Sequence, residues 1–182
     1  MFDRQGLIID VRRNNGGSID SWILGKLLRQ AWFYWQARTG KPTWNMQYAF
    51  RGHMVVLCDE RTASDGEAFA EGFRRLGLGK VIGTRTWGGE IWLSGSNVLA
   101  DRGVATAAEM GVYGPDGKWL IEGHGVDPDI VVDNLPNATF NGKDAQLETA
   151  LSYVKGLIKE NSVPVPPPPP YPDKNFTAGG GH

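Results

Sequence analysis

Residues 54–67, with the sequence MVVLCDERTASDGE, join a short apolar segment to a polar turn and the start of a predicted helix. The run Met54–Cys58 is apolar and uninterrupted, which predicts a buried β-strand. The helix is expected from about Ser64 to Leu76, because apolar residues recur there at positions i, i+4 and i+7 and glycines follow its end. A strand that leads into a helix is half of a βαβ unit, from which parallel sheets are built.

The alternation of strand and helix extends to both sides of this segment. Upstream, Gly6–Val11 predicts a first strand that is covered on both faces, and Ser18–Ala37 predicts a helix. Downstream, Val81–Thr84 predicts a third strand. The order of elements therefore predicts an α/β fold with repeated βαβ units. Because a buried strand begins so close to residue 1, we expect the chain to be a fragment of a longer protein.

The second half of the chain has a different pattern. From Trp92 to Val132 short predicted strands alternate with turns, and a hairpin connection is expected at Tyr113–Trp119. A last helix is expected over Asp144–Lys159, where apolar residues follow the 3.6-residue period and Asp144 is a suitable N-cap.

Composition divides the chain into a folded part and a tail. Residues 162–182 hold seven of the 11 prolines, including an unbroken run at 166–170 that predicts polyproline II geometry. We therefore expect one domain over residues 1–161, followed by a flexible, proline-rich tail over residues 162–182.

Charge and residue counts exclude several classes of protein. The 182 residues are 41% hydrophobic and carry a net charge of −1, which suits a globular domain and argues against nucleic-acid binding. The single cysteine, Cys58, excludes an internal disulfide and a four-cysteine metal site, and the three scattered histidines argue against a His-rich metal site. The apolar runs are too short to predict a membrane span. Since the first residues do not resemble a signal peptide, we expect a cytoplasmic protein, although a fragment could have lost an upstream signal.

Three motifs could carry chemistry, and the first is Ser64-Asp65-Gly66 at the predicted strand-to-helix junction. A serine here would project its hydroxyl from the end of the sheet, beside the free N–H groups of a helix N-terminus. That arrangement suits a nucleophile with an oxyanion hole. Taken alone, however, Ser64 is more simply explained as a helix N-cap.

The other two motifs are rich in glycine. Asn14-Asn15-Gly16-Gly17 follows the first predicted strand, and its N–H groups could form an anion nest, although a tight turn is the simpler explanation when the motif is taken alone. Residues 122–129, with the sequence EGHGVDPD, could place Glu122 in a cleft or could form a polar surface turn. The residues of this third motif do not decide between the two.

Taken together, three segments are similar in order and spacing to the tail-specific serine proteases, and most of all to their tricorn protease branch. The segments are Asp10–Gly17, Thr62–Glu67 and Gly123–Asp129, and the resemblance covers about Gly6 to Lys159. It implies a Clp protease/crotonase-like α/β core. It also implies a serine peptidase that acts on peptides or unfolded proteins without a metal or organic cofactor.

The resemblance implies a role for four residues of this chain. Ser64 would be the nucleophile, the backbone N–H groups of Gly17 and Asp65 would form the oxyanion hole, and Glu122 would support the charge network. In the tricorn branch the general base is a histidine preceded by a serine, far upstream of the first strand, and this chain contains neither. The related branch with a lysine base is disfavoured, because Gly89 occupies the position of that lysine.

Two histidines of the chain, His53 and His124, are candidates for a local base. His53 precedes the second predicted strand and Ser64 follows it, so roughly 16 Å of extended chain separates them. This distance is too long for a hydrogen bond between the two side chains. His124 is close to Glu122 in sequence and stays open as an alternative, although a substrate-side or structural role is expected.

The sequence indicates less about the substrate and the partners of the protein. The acid that the resemblance links to basic substrates in tricorn has no counterpart in Trp32–Gln36, so we expect no basic preference. The aromatic residues of that stretch predict contact with a partner, and hence a homo-oligomer. Two alternatives remain: a catalytically silent assembly or binding module, and a crotonase-like acyl-CoA enzyme.

Overall fold

The computed structural model describes residues 2–172, which form a parallel sheet between two helical layers. The elements in chain order are β1 (Gly6–Asp10), α1 (Asp20–Leu27), β2 (Tyr34–Trp35), β3 (Thr43–Trp44), β4 (His53–Cys58), α2 (Asp65–Arg75), β5 (Gly79–Gly83), β6 (Trp92–Ser94), β7 (Ala107–Met110), β8 (Ile130–Val131), α3 (Pro136–Phe140) and α4 (Ala145–Glu160).

The main sheet has the strand order β1-β4-β5-β8, and each neighbouring pair is parallel. Helices α1 and α2 cover one face of the sheet and α4 covers the other. The predicted α/β fold with repeated βαβ units is therefore confirmed. The carboxyl ends of β1 and β4 lie side by side, so the loops that follow these two strands meet at one edge of the sheet.

Burial on both faces explains why β4 reads as one unbroken apolar run. Met54, Val56 and Cys58 belong to the cluster under α1 and α2. Val55 and Leu57 belong to the cluster under α4. Since successive side chains of a strand point to opposite faces, a strand between two helical layers needs apolar residues at every position.

The helix predicted over Ser18–Ala37 is wrong beyond its first half. It ends at Leu27, and Tyr34–Trp35 instead pairs antiparallel with Thr43–Trp44. Aromatic residues favour strands, and the side chain of Asn45 accepts hydrogen bonds from the two N–H groups that begin the aromatic stretch. This tertiary pairing outweighs the helical spacing of the apolar residues.

The other predicted elements agree closely with the structure. Helix α2 begins directly after Ser64. Asp144 caps α4, because its carboxylate accepts the N–H of Leu147 at 2.9 Å. Tyr113 and Trp119 form an antiparallel bridge at the predicted hairpin.

Only part of the tail is described, and residues 173–182 lie outside the described residues. Within the described part, Arg51 donates to the carbonyl of Pro164 at 2.7 Å, and the Tyr171 hydroxyl donates to the carbonyl of Gln36 at 3.3 Å. These contacts lie on the surface, and the independence of the tail from the core stays a prediction. Between residues 2 and 172 no helix has both the length and the apolarity needed to cross a membrane.

Arg12 connects the end of β1 to the start of α4. Its guanidinium donates to Asp144 at 2.8 Å, to Gln146 at 3.1 Å and, through two nitrogens, to Asp10. The bond from Arg12 holds the pKa of Asp144 well below its usual range. The ion pair therefore stabilises the fold above the usual pKa of a carboxyl group, and this contribution is lost as the pH falls through the depressed pKa.

We expect Asp144→Asn to lower the free energy of unfolding by about 1 kcal/mol at neutral pH, because asparagine keeps the N-cap but loses the charge. The difference from wild type should shrink as the pH falls below about 4. Urea denaturation across this pH range measures it. Asp133→Asn, at an exposed neighbouring carboxylate, is the matched control, and a pH-independent difference for Asp144→Asn would contradict the ion-pair account.

Candidate active site

Ser64 sits between β4 and α2 in an unusual backbone conformation. Its φ of 52° and ψ of −126° lie outside the extended region that N-cap residues normally adopt. A non-glycine residue in such a conformation costs about 1–3 kcal/mol and must be held there by its surroundings. Capping alone therefore does not explain Ser64, which is half-buried at the carboxyl edge of the sheet.

The glycine pair after β1 packs directly against this serine. The N–H of Ala63 donates to the carbonyl of Asn14 at 2.7 Å, which ties the two loops together. A Cβ added to Gly16 would lie 3.1 Å from the Cβ of Ser64 and 3.3 Å from its hydroxyl oxygen. Gly16 also has a φ of 126°, so both its conformation and its surroundings require glycine.

Two N–H groups beside Ser64 lack a hydrogen-bond acceptor in the described part of the chain. Among residues 2–172, neither the N–H of Gly17 nor the N–H of Asp65 donates a hydrogen bond. A Cβ on Gly17 would lie 3.3 Å from the carboxylate of Asp65, so the two residues are neighbours. The structure thus places Gly17, Ser64 and Asp65 next to one another, and their roles stay a prediction. Free N–H groups in this position suit a developing negative charge.

The Asp65 carboxylate fixes the start of α1 against the start of α2. It accepts the N–H groups of Ile19 and Asp20 at 3.1 to 3.2 Å. Because α1 follows the glycine pair, these bonds hold the turn and the serine in one rigid unit.

Glu67 is a site residue that sequence reasoning missed. Its carboxylate is fully buried and accepts the N–H groups of Gly88 at 2.7 Å, Gly89 at 2.9 Å and Ser64 at 3.0 Å, together with the Thr86 hydroxyl. It therefore fastens the loop after β5, which we name the 86–91 loop, to the serine turn. The signal for it was the Ser-x-x-Glu spacing of a capping box, Ser64 to Glu67.

Glu122 contacts the other side of the 86–91 loop. Its carboxylate accepts the N–H groups of Glu90 at 2.8 Å and Ile91 at 2.9 Å. Within residues 2–172 no hydrogen bond joins Glu122 to Ser64, whose N–H instead also donates to the carbonyl of Gly89 at 3.0 Å. Within the described residues, hydrogen bonds connect the predicted acid to the serine through the backbone of this loop.

The described residues provide Ser64 with no base in hydrogen-bond contact. His53 lies at the opposite end of β4, and its ring bonds the carbonyl of Asn161 at 2.6 Å. The ring of His124 pairs with Asp127 at 2.6 Å and makes no hydrogen bond to Ser64 among residues 2–172.

The remaining chemistry of this edge is limited. Burial raises the pKa of the Cys58 thiol to about 12, so this cysteine is unreactive at neutral pH. In the described part of the chain, no group of three or more His, Cys, Asp or Glu side chains is arranged to hold a metal ion. The strained serine and its free N–H neighbours are the features suited to catalysis.

Comparison with known proteins identifies the family of the chain. The model of peptidase family S41 matches residues 1–132. The chain is 37% identical over 156 residues to tricorn protease of Thermoplasma acidophilum, and 38% identical over 150 residues to a tricorn protease homolog of Saccharolobus solfataricus. These matches cover 86% and 82% of this chain and 14% of each relative.

A solved structure gives the same result. The crystal structure of the tricorn protease superposes with a TM-score of 0.78 at 37% identity, over 86% of this chain and 15% of that chain. The chain thus spans less than a fifth of the length of the relatives it matches. With the family model matching residues 1–132, the resemblance predicted from the three sequence motifs is confirmed, and the chain belongs to peptidase family S41.

Proposed function

We propose that residues 1–161 form the catalytic domain of a serine peptidase that cleaves peptides or unfolded proteins. The observation that carries this proposal is the strained Ser64 beside the unpartnered N–H groups of Gly17 and Asp65. Membership of family S41 supports it. Residues 162–182 would be a tail that takes no part in the chemistry.

The proposed reaction proceeds through an acyl-enzyme. The hydroxyl oxygen of Ser64 attacks the peptide carbonyl, and the carbonyl oxygen takes up negative charge beside the N–H groups of Gly17 and Asp65. A general base removes the serine proton and passes it to the leaving amine. Water, activated by the same base, then releases the acyl group and restores Ser64.

The base is proposed to be a histidine from outside this chain's 182 residues. His53 and His124 are held by Asn161 and Asp127 respectively, which supports a source elsewhere. Glu122 would support that histidine, and it already holds the backbone of the 86–91 loop on which the site is built.

Labelling by a fluorophosphonate tests the nucleophile. We expect slow labelling of the 182-residue chain, faster labelling of a form extended upstream, and none in Ser64→Ala. Fast, Ser64-dependent labelling of the 182-residue chain alone would instead assign the base to His124. Absence of labelling in the extended form would favour the catalytically silent module, and tight acyl-CoA binding would favour the crotonase-like alternative.

We expect Gly16→Ala to slow labelling of Ser64 by about 10²-fold, because the added methyl group pushes the turn away from the serine and displaces an oxyanion donor. It should also destabilise the fold by about 1–3 kcal/mol. The matched control is Gly40→Ala, since Gly40 also has a positive φ, of 98°, but has open space around it. Equal labelling rates in the two variants would contradict the proposed oxyanion hole.

We propose that the peptidase works as a homo-oligomer in the cytoplasm. Trp22, Trp32 and Trp35 are 64%, 75% and 60% exposed, and large exposed aromatic side chains commonly mark contact surfaces. Sedimentation should show self-association that weakens when these residues become polar. A clean monomer at high concentration would contradict this part of the proposal. The cytoplasmic location rests on the sequence alone, and cell fractionation tests it.

A further inference from the structure

Glu90 is a buried carboxyl group that the proposed mechanism leaves unused. It lies in the 86–91 loop, and only 6% of its surface is exposed. Its oxygen Oε2 has no hydrogen-bond partner among residues 2–172. Glu67, buried in the same region, accepts hydrogen bonds at both of its oxygens. A buried carboxylate without such donors is costly, whereas a neutral carboxylic acid is tolerated.

The charged groups with the largest effect on the pKa of Glu90 are four carboxylates. They are Asp20 from α1, Asp65 and Glu67 from α2, and Glu122 from the loop before β8. Burial, together with these four carboxylates, raises the pKa of Glu90 to about 7. An ionised Glu90 would therefore be a fifth negative charge, and among residues 2–172 no cationic side chain forms an ion pair with it.

Glu90 also occupies the segment that positions the nucleophile. The carbonyl of Gly89 accepts the N–H of Ser64 at 3.0 Å, and the N–H of Glu90 itself donates to Glu122 at 2.8 Å. The 86–91 loop is thus held between Glu67 on one side and Glu122 on the other. Repulsion acting on Glu90 would move the same backbone that supports Ser64.

We propose that Glu90 is a positioning residue that must carry its proton for the 86–91 loop to stay closed on Ser64. When the proton leaves to solvent, repulsion from the surrounding carboxylates loosens the loop and withdraws the Gly89 carbonyl from the Ser64 N–H. The effect on the loop follows from this structure alone, and the effect on catalysis rests on the proposed peptidase function.

The first test is the thermal stability of the 182-residue chain, which needs no activity. Folded Glu90 keeps a proton that the unfolded chain releases at lower pH, so wild-type stability should fall as the pH rises from about 5 to about 8.5. Glu90→Gln is neutral and of similar shape. Its melting temperature should exceed that of wild type by several degrees at about pH 8.5, and this difference should shrink at about pH 5.

The matched control for this test is Glu109→Gln, at an exposed carboxylate of β7, which should show no such divergence. A difference between Glu90→Gln and wild type that is the same at both pH values would overturn the proposal. If Glu90→Gln does not fold, carbon-13 NMR of the wild-type glutamate carboxyls decides. A carboxyl resonance that titrates near pH 7 supports the proposal, and its absence overturns it.

The second test uses any form of the protein with Ser64-dependent peptidase activity. Wild-type turnover should fall about tenfold for each pH unit above about 7, whereas Glu90→Gln should keep its activity there. Identical pH profiles would overturn the positioning role. If no form of the protein has Ser64-dependent peptidase activity, the proposed peptidase function is refuted, and the stability test still decides the protonation of Glu90.

Discussion

Replacing Ser64 with alanine should lower peptide hydrolysis by at least about 10⁴-fold in a form of the protein that has its base. The oxyanion hole and substrate binding can preserve only a residual rate once the nucleophile is gone. Steady-state hydrolysis of an unstructured peptide, compared between the variant and wild type, measures the effect.

Glycine at the same position separates catalysis from folding. Glycine adopts the φ of 52° found at Ser64 without strain, so Ser64→Gly should be at least as stable as wild type. It should nevertheless be as inactive as Ser64→Ala. If either variant kept more than about a tenth of wild-type turnover, Ser64 would not be the nucleophile.

The second large effect is expected at Glu67. Glu67→Gln places an amide nitrogen where one of the carboxylate oxygens accepts N–H groups. The N–H groups that face this nitrogen would lose a charged acceptor, at about 1–3 kcal/mol each. The 86–91 loop would be held to Ser64 by fewer hydrogen bonds, so labelling by a fluorophosphonate should slow by about 10²-fold. Urea denaturation and labelling rates measure the two effects.

Glu71 provides the control for Glu67 on the same helix. It is also buried, but it binds Arg74 and Arg75 near the end of α2, away from the serine turn. Glu71→Gln should therefore lower stability while leaving labelling unchanged. If Glu67→Gln labelled at the wild-type rate, the carboxylate would be structural only and the 86–91 loop would have no part in catalysis.

Local patterns were sufficient for the elements that build the sheet. The unbroken apolar run of β4 indicates that both faces of this strand are covered. Asp144 could be recognised in the sequence as the N-cap of α4. The end of α1 was not predictable in this way. The aromatic residues after Leu27 keep a helical spacing, but the structure pairs them with Thr43–Trp44, a partner that lies in a later segment.

The site was predictable where neighbouring strands determine it. Gly17 and Ser64 meet because β1 and β4 are adjacent and parallel, so the loops after them share one edge. Glu67 and Glu90 could not be assigned in the same way. The role of Glu67 depends on hydrogen bonds to a loop some twenty residues further along the chain. The role of Glu90 depends on its burial among four carboxylates.

A crystal structure with a peptidyl boronate would test the central claim most directly. We predict a covalent bond from the Ser64 hydroxyl oxygen to boron. One boronate oxygen should lie about 2.7–3.1 Å from the N–H nitrogens of both Gly17 and Asp65. A boronate bound elsewhere, or bonded to Ser64 with that oxygen turned away from both N–H groups, would contradict the account.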